Sequence, residues 1–212
     1  MENQNSVLLR GELAQLPRWS HENHGRDFYV FELDVQRLSG AVGRLRVLAA
    51  EDVLEQLELS GGSMLEVSGQ IRSFNNRQDT GRRLVISVYA SRVAACEGES
   101  MNRVELTGCL CRPPVYRQTP LGREICDVML AVGRRYHRSD YLPCILWGRA
   151  AREAARLRVG AGLHLVGRLQ SRDYVKVLDT GSETRTAYEV SAVEVWPLPE
   201  EPAISKASGQ AL

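Results

Sequence analysis

The sequence predicts an all-β chain folded as two tandem five-stranded barrels, each with one short helix. Two observations carry this: the first half recurs in the second at a spacing near 97 residues, and both copies show one order of strand and helix signals. Asn5-Ser-Val-Leu-Leu-Arg-Gly11-Glu-Leu13 is echoed by Asn102-Arg-Val-Glu-Leu-Thr-Gly108-Cys-Leu110, with the glycines 97 apart. Val67-Ser-Gly69 returns as Val166-Gly167 at 98, and Asp79-Thr-Gly81 as Asp179-Thr-Gly181 at 100. A slowly drifting spacing is what duplication followed by small loop insertions leaves behind. With 212 residues and 43% apolar content the chain can fill two such cores.

In the first copy, apolar-rich strands are expected at 7–13, 28–35 and 44–48, with a turn near His24-Gly25. A helix follows at 51–57, ended by Ser60-Gly61-Gly62, then strands at 64–73 and 84–90. The second copy has strands at 104–111, 125–132 and 140–147, the first two joined through Thr119-Pro-Leu-Gly122, with Pro and Gly where a type I turn favours them. A helix at 149–158 stops at Val159-Gly160-Ala-Gly162; a strand at 163–170 and a hairpin of 174–178 with 186–195, turned at Asp179-Thr-Gly-Ser182, complete the unit. Three strands, a helix and a closing pair is the order of the OB-fold. The expected division is residues 1–97, a linker at 98–101, a second barrel at 102–198, and a tail at 199–212 with too little to bury to be ordered.

The strand at 140–147 is the most informative. Alternation places Tyr141, Pro143, Ile145 and Trp147 on one face and Leu142, Cys144 and Leu146 on the other. Large rings ordinarily enter cores or subunit interfaces. Here the opposite face is uniformly apolar and supplies the core, so the rings point outward. Arg134, Arg135, Tyr136 and Arg138 precede them, and a surface of aromatic planes beside guanidinium groups suits the unstacked bases and phosphates of single-stranded nucleic acid.

Charge supports the second half as the binding half. Residues 5–97 hold 11 arginines against 12 acids, whereas residues 102–197 hold 15 basic residues against 10 acidic ones. Lysine occurs only at 176 and 206, so the cations are almost all arginine, which forks onto phosphate and stacks on bases.

The five cysteines, Cys96, Cys109, Cys111, Cys126 and Cys144, are odd in number and lack a Cys-x-x-Cys pair; buried reduced thiols are expected. No stretch reads as a signal peptide or membrane span, so a soluble cytoplasmic protein is expected. His21-Glu-Asn-His24 lacks a third ligand at suitable spacing, and no metal or other cofactor is expected. There is no phosphate-cradling Gly-rich loop, nucleophile elbow or framed carboxylate pair, which favours a binding module over an enzyme.

Taken together, Asn102-Arg-Val-Glu-Leu-Thr-Gly108, Tyr116-Arg117-Gln-Thr-Pro-Leu-Gly122, Asp140-Tyr-Leu-Pro-Cys-Ile-Leu-Trp147-Gly-Arg-Ala-Ala and Val166-Gly167-Arg-Leu-Gln-Ser-Arg172-Asp-Tyr174 resemble the bacterial single-stranded DNA-binding proteins, over nearly all of residues 102–197. The resemblance implies base stacking at Tyr136, Tyr141, Trp147 and Tyr174. Phosphate contacts are expected at Arg117, Arg134, Arg135, Arg138, Arg149, Arg168 and Arg172. The first copy looks degenerate: Trp147 falls near Leu48 or Ala49, Tyr136 near Ser39 and Tyr174 near Asn76, with Phe74 close by. A structural role is expected for it. Some family members with two barrels per chain dimerise into a four-barrel assembly, and the resemblance implies the same homodimer, or another homo-oligomer, here. The family's acidic tail ending in Pro-Phe recruits replication and repair proteins; such proteins are candidate partners by the resemblance, but this chain reads Ser-Gly-Gln-Ala-Leu212 in place of that tail. RNA is a possible ligand on the same stacking argument. The competing reading is an accessory scaffold akin to primosomal replication protein B, with weak DNA binding and a protein partner.

Overall fold

The computed structural model describes residues 4–37, 39–76, 83–178 and 181–199. The repeated Asp79-Thr-Gly81, the turn residues 179–180 and the tail beyond 199 lie outside the described residues. The first copy comprises β1 (Asn5–Asn23), β2 (Arg26–Gln36), β3 (Val42–Ala50), α1 (Glu51–Leu54), β4 (Met64–Asn76) and β5 (Arg83–Ala95). The second comprises β6 (Met101–Leu110), β7 (Val115–Gln118), β8 (Glu124–Gly133), β9 (Ser139–Trp147), α2 (Gly148–Ala154), β10 (Gly162–Leu178) and β11 (Gly181–Pro197).

Both copies close on themselves. In the first, β1 pairs with β4 through residues 7–12 and with β2 from Glu12 onward, while β3 joins β2 antiparallel and β5 parallel. In the second, β6 pairs with β10 and, at its end, with β8; β9 lies antiparallel to β8 and parallel to β11. This is the OB-fold expected from the element order. Inward-facing residues alternate along each strand: Leu9, Leu33, Leu45, Leu65 and Ile71 fill the first barrel, and Leu106, Leu130, Leu142, Leu146, Leu163 and Leu165 the second, all fully buried.

Several elements differ from the expected bounds for physical reasons. β1 continues ten residues beyond Leu13, with register shifts between Leu13 and Gln15, Gln15 and Arg18, and Trp19 and His21. Each bulge flips the side-chain alternation, so the pattern that marks a strand is lost. β7 does the same job for the second barrel, but its four residues are all exposed and carry no alternation. α2 is shorter than 149–158, because its end tightens into i→i+3 bonds, Arg156 N–H to Glu153 O and Leu157 N–H to Ala154 O. The tightened turn packs Leu157 against the core. β10 runs unbroken through Arg172-Asp173, where Thr186 Oγ1 donates to Asp173 Oδ1 at 2.7 Å across the hairpin.

Cys126 and Cys144 are part of the second core, and burial pushes both thiols up from their ordinary range. Neither will react with a thiol reagent at pH 8 in the native protein, while all five cysteines will in denaturant. Fast native-state modification of Cys144, read by mass spectrometry, would show that β9 is not packed as described.

The barrels are joined edge to edge. β1 and β6 pair antiparallel from Asn5↔Leu106 to Arg10↔Met101, which makes one continuous sheet of eleven strands. Val7 lies opposite Val104, its repeat equivalent, so a local twofold axis passes through that pair. Side chains obey it too. Asn5 exchanges two hydrogen bonds with the Ile71 backbone at 2.8 and 2.9 Å, and Asn102 does so with Leu169 at 2.7 and 2.9 Å.

Candidate nucleic-acid interface

Strand register assembles the aromatic face. Along β9, Leu142, Cys144 and Leu146 are buried, while Tyr141 and Trp147 are 48% and 38% exposed on the opposite side. Ile145, on that outer side, is itself buried. The Trp147 indole N–H donates to Ser191 Oγ at 3.0 Å, so Ser191 of β11 shares this face. Ser191 lies opposite Arg168 of β10. Directly opposed residues point the same way, and two-residue steps along β10 then bring Gln170, Arg172 and Tyr174 onto the same side. Tyr174, 43% exposed, sits on the part of the β10–β11 hairpin that extends beyond the barrel, opposite Arg185.

Tyr136 is placed differently. It lies in a single 3-10 turn, Arg135–His137, at the tip of the β8–β9 loop and is 90% exposed. Tyr136 and His137 both adopt left-handed backbone, φ 60° and 53°. For side-chain-bearing residues this costs about 1–3 kcal/mol each and persists only where the surroundings impose it. The loop base supplies that constraint: Arg134 N–H donates to Arg138 O at 2.7 Å.

The seven arginines fall into two groups. Arg135, Arg138, Arg168 and Arg172 are exposed and make no ion pair among the described residues. The other three hold acids. Arg117 pairs with Asp127 at 2.6 Å and Arg149 with Glu153 at 2.7 Å, one helical turn on. Arg134 is forked onto Asp140, which is fully buried. Arg72 of β4 reaches the same carboxylate at 3.1 Å, and Ser73 N–H donates to it at 2.6 Å. Arg134 also donates to Ser73 O at 3.3 Å, and Tyr141 N–H donates to Ser73 Oγ at 2.7 Å. Arg134 is thus the hub of a node between the two barrels.

Sequence reasoning missed Ser191, Arg72, Ser73 and Asp140 as members of the site. Asp140 left a signal: it has the inward parity of Leu142, Cys144 and Leu146, and a carboxylate aimed inward must find cationic partners. In the first barrel, Phe28↔Ala50 matches Ile125↔Trp147, so Ala50 stands where Trp147 does, one or two residues from the expected Leu48 or Ala49. By the same spacing Tyr141 corresponds to Arg44, which forks onto Asp34 at 2.8 Å and holds that carboxyl below its usual range. Among the described residues, no group of three or more His, Cys, Asp or Glu could hold a metal ion, and no helix is long and apolar enough to cross a membrane.

Two closed barrels, with rings and arginines gathered on the outer face of the second, define a tandem OB-fold protein. Residues 101–198, the whole of the second barrel, match the sequence model of the Single-strand binding protein family. Single-stranded DNA-binding protein 2 of Listeria innocua is 36% identical over 81 residues, 35% of this chain and 51% of that protein. The single-stranded DNA-binding protein of Thermus aquaticus is 26% identical over 166 residues, 68% of this chain and 63% of that one. The crystal structure of the wild-type Thermus aquaticus protein superposes with a TM-score of 0.77 at 25% identity, covering 99% of this chain and 100% of the other, so the likeness extends over both barrels. The chain spans about half the length of the first curated relatives it matches, between 47% and 59% of each.

Proposed function

We propose that this protein binds and shields single-stranded DNA without reading its sequence, in the cytoplasm, during replication, recombination or repair. The observation that carries the proposal is one outward sheet face where Tyr141, Trp147 and Tyr174 lie among Arg168 and Arg172, with Tyr136, Arg135 and Arg138 at its rim. Bases stack on the four rings, and phosphates meet Arg135, Arg138, Arg168 and Arg172. Arg117 and Arg149, each held by an exposed acid, can exchange that acid for a phosphate. Arg134 contributes by holding the loop. The first barrel, with Ala50 and Arg44 at the ring positions, is a structural half.

A dimer of the chain extends this reading. The central strands β5, β4, β1, β6, β10 and β11 present one continuous outer face across both barrels. It carries Leu8, Met101, His164 and Trp196 together with the ion pairs Arg10–Glu66 and Arg103–Glu105. Packing two such faces would give a four-barrel assembly, with the aromatic faces left open to solvent.

The test is a titration with oligo-dT followed by intrinsic fluorescence, at several salt concentrations, with duplex DNA and oligo-rU as competitors. Four phosphate contacts give a slope of log K against log salt of about −3 for a single strand. Tight, salt-sensitive, single-strand-selective binding supports the proposal. Weak, salt-insensitive binding would turn the reading toward a scaffold with a protein partner, and preference for oligo-rU toward RNA.

A further inference from the structure

The local twofold axis supplies an internal control at the junction of the barrels. Two equivalent contacts cross it: Arg134 donates to Ser73 O, and its repeat equivalent Arg37 donates to Ser171 O, each at 3.3 Å. Beyond that the junctions differ. Where the second barrel has Asp140 opposite Val132, the first has Gly43 opposite Val35. Where β4 offers Arg72 to Asp140, the equivalent position of β10 is Gln170, bonded instead to Glu189 at 2.9 Å. The loop at the Asp140 junction carries Tyr136 at its tip; the equivalent position in the other loop is Ser39. The buried carboxylate occurs where there is a ring to hold and is absent where there is none.

We infer that Asp140 is a positioning residue for Tyr136: it ties the β8–β9 loop, through Arg134, to Arg72 and Ser73 of the first barrel, and so fixes the ring at the rim of the binding face. This rests on the proposed binding of single-stranded DNA. The geometry is specific to the loop. Asp140 and Arg134 flank it on either side, the Arg134 N–H to Arg138 O bond closes its base, and the left-handed Tyr136 and His137 need such a frame to persist. Trp147 is set independently, at the far end of β9, by pairing with Ile125 and by its bond to Ser191. The first barrel thereby takes part in binding without touching the strand.

The experiment is a double-mutant cycle on the full chain, with affinity for labelled oligo-dT measured for the wild type, Tyr136→Ala, Asp140→Asn and the double variant, and melting curves recorded for each. Residues that act as a unit are non-additive. Asp140→Asn should weaken binding about 5- to 30-fold when Tyr136 is present, the scale of one stacked base, and less than twofold in the Y136A background. In a W147A background its cost should be undiminished. Equal cost of Asp140→Asn with and without Tyr136, or no cost at all, overturns the inference and leaves the binding proposal standing. No loss from Tyr136→Ala removes Tyr136 from the binding face and the inference with it. Should Asp140→Asn fail to fold, Ser73→Ala removes only the hydroxyl that accepts from Tyr141 N–H; a milder loss, again confined to chains that keep Tyr136, is expected, and an additive loss overturns the inference.

Discussion

Replacing Trp147 and Tyr141 together by alanine will weaken binding to oligo-dT by about 2–4 kcal/mol, roughly 30- to 1,000-fold, since each stacked base contributes about 1–3 kcal/mol. The substitutions suit the test because both residues sit on the outer side of β9. Their backbones pair with Ile125 and Ala131 of β8 whatever the side chain, and the core residues Leu142, Cys144 and Leu146 are untouched. Trp147 should account for the larger part. Its indole is fixed by the bond to Ser191 Oγ, so little rotamer freedom is lost when a base settles on it, whereas no such bond holds the Tyr141 ring among the described residues. The chain has two further tryptophans, Trp19 and Trp196, so Trp147→Ala should also remove most of the fluorescence quenching that DNA produces while leaving emission from the others. Affinity within twofold of wild type for the double variant, with an unchanged melting curve, would mean that the strand runs elsewhere.

The duplication, the barrel order and the outward face of β9 were legible in the sequence because each rests on a local pattern. Alternation along 140–147 is intact, and glycines at fixed spacing mark equivalent corners. What the sequence hid were features that depend on register between distant strands. The second half of β1 vanished because its three shifts break alternation, although the chain is paired throughout. Arg134 is indistinguishable from Arg135 and Arg138 in a run of basic residues; only the fold reveals that it faces a buried carboxylate six residues on, and that Arg72 approaches from the other barrel. The partner of a buried charge lies at a sequence separation that no short-range pattern encodes. The inward parity of Asp140 was nevertheless visible, and it announced that some cation had to come to it.

Gly167→Ala will lower stability by about 3 kcal/mol, at the upper end of the overpacking range, and the melting temperature by roughly 6–12 °C. Gly167 lies at a bulge, where Val166 pairs with Glu194 but Gly167 pairs with Ala192, leaving Val193 as the extra residue of β11. The bend brings backbone against backbone: a Cβ on Gly167 would lie 2.3 Å from Ser191 O and 2.9 Å from Ala192 Cα. No side chain can swing aside there, so the strands must part. Gly69 faces the same obstruction in the first barrel, with Tyr89 O at 2.1 Å and Ser91 as the extra residue, which explains why the two glycines stand out in the repeat. The clash at Gly167 also reaches function, because moving Ser191 releases the Trp147 indole. Gly167→Ala should therefore weaken DNA binding at temperatures where the protein is still folded, whereas Gly69→Ala should destabilise without that loss. Calorimetry paired with oligo-dT titration separates the two, and equal binding losses from both variants would show that the first barrel's bulge also bears on the strand.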